Sequence, residues 1–257
     1  MNASAHLLLE AGQDRTRLEL ASRHNTLTRL AIAELLAALE SHARDDGSRV
    51  LIISGQGSRF FSPGFDLRQV SALQRAEMED MIEAFEGLMV SLLRHPKPVL
   101  AQLNGDALAG GCILASCCDF RLARRGALIG MTPLNFSVAV PYTAQQVFRH
   151  LLGFSRARRP LWLGENYPVE KALGMGWIDQ VESEEKLPSA VDGLARRLAA
   201  GDPAAFRTSK DFLLAPLLRQ IDPPSPHRRR DFLDCWFSAS TQSRLRATLR
   251  NLDSKTS

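Results

Sequence analysis

Two glycine turns carry the residue types and spacing that can do chemistry. In the first, the apolar run Ile52-Ile53-Ser54-Gly55 leads into Phe60-Phe61-Ser62-Pro63-Gly64-Phe65-Asp66-Leu67. In the second, Pro98-Val99-Leu100-Ala101-Gln102-Leu103 runs into a joint at Ala109-Gly110-Gly111-Cys112, followed by small and apolar residues that suit a buried helix. A helix starting there points unpaired backbone N–H groups, and the positive end of its dipole, at the space before it. Glycine also lets a ligand atom approach the main chain closely. If the two turns face one another, their N–H groups converge on one carbonyl oxygen and can hold a developing negative charge. Either turn alone reads as an ordinary tight turn. The dinucleotide pattern G-x-G-x-x-G and a phosphate loop ending in Gly-Lys-Ser/Thr are both absent.

The elements that must position these turns follow from periodicity. His6–Glu10 and Arg17–Ala21 read as strands around the polar turn at Ala11-Gly12-Gln13-Asp14. Leu27, Leu30, Ile32, Leu35, Leu36 and Leu39 give a helical period behind the caps at Asn25–Thr28. Val50–Gly55 is fully apolar, the type of strand covered on both faces. Gln56–Asp66 reads as a loop, Met78–Arg94 as a helix ended by Pro96 and Pro98, and Asp119–Ala123 as a strand. Leu128–Val140 reads as extended or irregular, and Ala144–Leu152 as a helix ended by Gly153. Pro168–Leu173 is a short helix and Trp177–Val181 a late strand. From Leu187 the chain is helical to Asn251, with a loop at Ile221–Pro226. Strands alternating with helices, then helices alone, predict an α/β core over residues 1–199 and a helical C-terminal region over 200–257.

Composition narrows the partners. The 257 residues are 45% hydrophobic and 23% charged, with a net charge of +4. No basic stripe interleaved with aromatics argues for nucleic acid. No apolar run reaches the roughly 18 residues of a membrane span, and the start lacks a signal-peptide core. Cys112, Cys117, Cys118 and Cys235 show neither zinc spacing nor a disulfide framework, which predicts reduced thiols, a cytoplasmic setting and no metal.

Four patches, in order along nearly the whole chain, resemble the crotonase superfamily, the enoyl-CoA hydratase/isomerase family. They are Asn25-Thr26-Leu27; Phe61-Ser62-Pro63-Gly64-Phe65-Asp66-Leu67; Lys97-Pro98-Val99 through Asn104-Gly105 and Gly110-Gly111-Cys112 to Cys118-Asp119; and Leu163–Ile178. The Ala-Gly-Gly-Cys wording with an apolar residue at Ile113 is locally similar to Δ3,Δ2-enoyl-CoA isomerases. The resemblance implies a spiral of ββα units with a helical trimerisation region. It implies assembly as a homotrimer or hexamer, and an acyl-CoA thioester as substrate with no further cofactor. It places the thioester oxygen between the backbone N–H groups of Phe65 and Gly110. It also implies substrate contacts at Gly64 and Asp66, and CoA contacts at Arg23 and His24.

The family's acid/base side chains are missing. By the resemblance, the places of its two glutamates fall on Ile113 and on Pro133 or a neighbour of it, none of them a carboxylate. Isomerisation, which needs one glutamate, is therefore favoured over hydration, which needs two. A homologue that binds acyl-CoA without converting it is the alternative. Tyr142, next to a place where some relatives carry an acidic base, Glu86, on a helix from which a related dehalogenase reaches its site, and Asp66, after an oxyanion donor at a place more often structural in the family, are the candidate replacements. A tyrosine, with a reference pKa of about 10, suits a proton donor better than a base. A solvated helix face for Glu83 and Glu86, and a packed turn for Tyr142, are the plain alternatives.

Overall fold

The computed structural model describes residues 6–12, 14–132 and 138–253. Strands β1 (Leu7–Ala11) and β2 (Arg15–Leu20) form an antiparallel hairpin. A 3-10 turn at Arg23–Asn25 leads to α1 (Arg29–Arg44), whose N-terminus is capped by the Thr28 hydroxyl accepting from the Ala31 N–H at 3.0 Å. Then come β3 (Val50–Gly55), β4 (Phe60–Ser62), α2 (Leu67–Ala72) and α3 (Arg75–Leu93). Next are β5 (Val99–Leu103), β6 (Asp106–Leu108) and α4 (Gly110–Ser116), followed by β7 (Phe120–Arg124), β8 (Leu128–Gly130) and α5 (Tyr142–Leu163). Within α5 the helix breaks at Gly153 and resumes. The sequence places a helix end at Gly153; the glycine interrupts the helix without ending it. The chain continues through β9 (Asn166–Pro168), α6 (Val169–Gly174) and β10 (Gln180–Glu182). Four helices complete it: α7 (Leu187–Ala199), α8 (Pro203–Ile221), α9 (Pro226–Trp236) and α10 (Ala239–Asp253).

Two sheets organise the core, in the order β1-β2-β3-β5-β7-β10 and β4-β6-β8-β9. In the pairs β3/β4, β5/β6 and β7/β8 the first strand joins the large sheet and the second joins the small one, with helix following. This is the repeating ββα spiral of a mixed α/β fold. The large sheet is covered on both faces, as the unbroken apolar run of β3 requires. Leu51 and Ile53 belong to the main core with α1 and α3, while Val50 and Ile52 pack with Leu187, Val191 and Ala195 of α7. The helical end is tied back to this sheet by the buried Lys210 ammonium, 2.9 Å from the Asp119 carboxylate, which also accepts from the Val99 N–H.

A buried polar chain runs beside the core. Thr16 Oγ1 donates to Ser48 Oγ at 2.9 Å, Ser48 Oγ lies 2.9 Å from His42 Nε2, and His42 Nδ1 lies 2.9 Å from His95 Nε2. The two imidazoles stack with centroids 5.1 Å apart. Lys97 closes the end of α1 by donating to the carbonyls of His42, Asp45 and Ser48. Burial, with the Lys97 charge behind it, pushes His42 down to about 4; burial, with His42, Lys210 and Lys97 adding to it, pushes His95 down to about 3.

Candidate active site

The topology brings the two glycine turns together. β4 and β6 are parallel neighbours, with Phe60 opposite Asp106 and Ser62 opposite Ala107, so both strands leave the small sheet on the same side. The close approach depends on glycine. Gly64 has φ +92°, and a side-chain carbon on it would lie 2.6 Å from the Gly110 nitrogen. A side-chain carbon on Gly111 would lie 2.1 Å from the Ser62 carbonyl oxygen. At both positions any larger residue forces the turns apart.

The direction of each amide follows from its carbonyl, because N–H and C=O of one trans peptide point opposite ways. The Gly64 carbonyl accepts from the Leu27 N–H at 2.8 Å, which aims the Phe65 N–H away from Leu27. The Ala109 carbonyl accepts from the Ile113 N–H at 3.0 Å, which aims the Gly110 N–H out of the start of α4. Neither N–H has a hydrogen-bond partner among the described residues. The buried Asn25 side chain supports the first turn, donating to the carbonyls of Gln56 at 3.0 Å and Phe60 at 2.7 Å. The second turn holds Ala109 at φ +48°, ψ −119°, a conformation costly for a residue with a Cβ. Strain of this kind, of order 1–3 kcal/mol, persists only where the surroundings impose it. Here the Ala109 N–H is also tied to the Gly130 carbonyl at 2.9 Å.

Phe65 and Gly110 both line a cavity of about 100 Å³. Phe85, Ile113 and Met131 form its core side; Phe232 and Trp236 of α9 and Leu245 of α10 close it from the other. The Phe65 and Phe85 rings meet edge to face, centroids 5.0 Å apart. Among the described residues, no ionisable side chain lines the cavity, and Thr132 brings its only hydroxyl. Pro133 falls in the segment 133–137, outside the described residues, and that segment contains no ionisable residue in sequence.

The remaining candidates lie elsewhere. Asp66 is the N-cap of α2, its Oδ1 accepting from the Arg68 N–H at 2.9 Å and the Gln69 N–H at 3.3 Å. Tyr142 opens α5 beside the cavity-lining Pro141, with the Arg228 guanidinium 5.3 Å over its ring, and does not itself line the cavity. Glu86 does not line it either and is not a solvated face: it is 1% exposed. Its Oε1 accepts from the Thr143 hydroxyl at 3.1 Å and its Oε2 from Arg229 Nε at 3.0 Å. Burial pushes its carboxyl above the ordinary value, against the pull of Arg229. Arg229 also reaches Glu83, at 2.9 Å. Arg23 and His24 are exposed on the 3-10 turn before Asn25, with His24 at φ +58°. The cavity walls from α9 and α10 were missed by the sequence reading, although Phe232 and Trp236 sit four apart in a helical pattern.

A ββα spiral with two parallel-strand glycine turns over an apolar cavity defines the crotonase class. The profile of the enoyl-CoA hydratase/isomerase family matches residues 16–238, and the chain belongs to that family. It is 28% identical to the crotonyl-CoA hydratase of Syntrophomonas wolfei over 186 residues, 72% of each chain. It is 34% identical to the peroxisomal enoyl-CoA delta isomerase 2 of Arabidopsis thaliana over 181 residues, 66% of this chain and 74% of the relative. The crystal structure of human mitochondrial delta3-delta2-enoyl-CoA isomerase matches with a TM-score of 0.92 at 23% identity, covering 98% of this chain and 100% of the other. That last likeness speaks for the fold alone. No helix among the described residues is long and apolar enough to cross a membrane.

Proposed function

We propose that the chain binds an acyl-CoA thioester with its carbonyl oxygen between the Phe65 and Gly110 N–H groups and stabilises the enolate formed there. The observation that carries this reading is the pair of partnerless amides, one from each turn, at the rim of one apolar cavity. Such donors act most strongly where water is excluded, because they are already oriented when charge develops on the oxygen. A neutral thioester gains less from them than its enolate does, so binding energy goes to the transition state. Both donors belong to the main chain, which leaves the Phe65 side chain free to serve as cavity wall.

The reaction favoured over hydration is a double-bond isomerisation, in which one group takes the C2 proton of a 3-enoyl thioester, leaving the enolate, and returns it at C4. Tyr142, directly after the cavity-lining Pro141, is the candidate for that shuttle. Paired-carboxylate water addition has no support in a cavity where Ile113 occupies the wall. The exposed side chains of Arg23 and His24 meet the CoA phosphates. No cofactor beyond the thioester itself is required, nucleic acid and membrane are not partners, and a cytoplasmic setting suits the buried thiols. Exposed Phe154, Trp162, Leu163, Phe212 and Leu213 supply apolar surface for a homotrimer or hexamer. That no ionisable side chain among the described residues lines the cavity favours one second reading, an acyl-CoA binder without turnover.

A panel of 2-enoyl-, 3-enoyl-, 3-hydroxyacyl- and malonyl-CoA thioesters separates the two readings. The expected result is conversion of the 3-enoyl thioester to its 2-enoyl isomer. Tight binding without conversion of any member supports the second reading, and no binding by calorimetry removes both.

A further inference from the structure

The Glu86 carboxylate joins three helices at the back of the cavity. It lies on α3, next to Phe85; it accepts from Thr143 on α5, two residues after Pro141; and it pairs with Arg229 on α9, three residues before Phe232. Phe85, Pro141 and Phe232 all line the cavity. Arg229, Phe232, Leu233 and Trp236 are the buried stripe of α9, so the guanidinium and the two wall rings share one helix face. The carboxylate and Arg229 are 1% and 5% exposed, which isolates the pair from solvent. Of the other ion pairs from α9 to α3, that of Arg229 with Glu83 uses the same guanidinium, and that of Arg75 with Asp234 is solvent-exposed and contributes little to position.

We propose that Glu86 is a positioning residue: by holding Thr143 and Arg229 at once, it fixes the α3, α5 and α9 walls and so selects a short acyl chain. The size limit comes from the cavity. An apolar cavity of roughly 150 Å³ takes up a six-carbon ring, so one of about 100 Å³ holds an acyl tail of about four carbons. This proposal rests on the acyl-CoA reading given above, and names the substrate class within it.

The test is calorimetric affinity of the full-length chain for free CoA and for acetyl-, butyryl-, hexanoyl- and octanoyl-CoA. The variants are Glu86→Gln, Thr143→Val and the double variant Glu86→Gln/Arg229→Met. The double variant leaves no unpaired buried charge, so it folds where a single change fails. The wild type is expected to prefer butyryl-CoA. In the double variant the octanoyl-to-butyryl affinity ratio rises about tenfold, while free CoA binds as before; Thr143→Val shifts the ratio in the same direction by less. A merely structural pair lowers stability and leaves the chain-length profile alone, so a folded double variant with the wild-type profile overturns the proposal. A wild type that binds no acyl-CoA at all overturns the underlying reading, and this one with it.

Discussion

Gly64→Ala is expected to lower turnover of the preferred enoyl-CoA by about 10²–10³-fold, the usual cost of losing one oxyanion donor. The added carbon would sit 2.6 Å from the Gly110 nitrogen and 3.1 Å from the Ala109 Cβ, on the spot where the two turns meet. It can be accommodated only by opening the gap between the Phe65 and Gly110 amides. The loss falls mainly on kcat, because the CoA contacts proposed at Arg23 and His24 lie outside the turn. Alanine also pays a backbone penalty at φ +92°, about 1–2 kcal/mol. Gly57→Ala separates the two effects. Gly57 has φ +74° with nothing within 4 Å of a new side-chain carbon, so it carries the same kind of backbone penalty without the collision. Steady-state kinetics with thermal melts on both variants checks this. Equal turnover in the two contradicts the role given to the glycine contact.

Folding stability is expected to fall steeply as pH drops from 6.5 toward 4. His42 and His95 are held at about 4 and about 3, below the ordinary imidazole value. The unfolded chain therefore binds protons in this window that the folded chain does not, so stability rises with pH across it and is lost on acidification. Each imidazole contributes a limiting slope of about 1.4 kcal/mol per pH unit, and the pair about twice that. Around His42 and His95 the facing charged groups are Lys97, Lys210 and Asp45; burial is the largest influence on each ring, Lys97 opposes protonation of both, Lys210 opposes it at His95, and Asp45 favours it at His42. Urea unfolding at pH 5, 6 and 7 reads the slope above the range where most carboxylates titrate. Flat stability across those three points would place the histidines in contact with water.

The long elements were legible because their patterns are long. β3 occupies the predicted Val50–Gly55, and the period from Leu30 to Leu39 falls within α1, while Leu27 precedes the helix cap and bridges to Phe65. The small sheet was not legible. Its strands β4, β6, β8 and β9 have three residues each, too few to show alternation; β4 sits in a stretch that reads as loop, β8 in one that reads as extended or irregular, and Pro168 of β9 reads as the start of a helix. Those strands nevertheless bring the glycine turns side by side. Trp177–Asp179 read as strand but only Gln180–Glu182 pairs, because the apolar Trp177 and Ile178 are buried against the core from a loop. Glu86 read as a solvated face or a base because its partner Arg229 lies 143 residues away. Nothing in the wording Leu108-Ala109-Gly110 marks Ala109 as the strained residue, since alanine does not signal a positive φ and two glycines that could take it stand next to it.

The carbonyl stretching band of a bound acyl-CoA labelled with ¹³C at the thioester carbon tests the central claim most directly. Infrared difference spectra of wild type and Gly64→Ala, each saturated with ligand, isolate that one bond. Two amides donating to its oxygen predict a band at lower wavenumber than in free acyl-CoA, moving back toward the free position in the variant. A wild-type band at the free position would mean that neither amide touches the thioester oxygen.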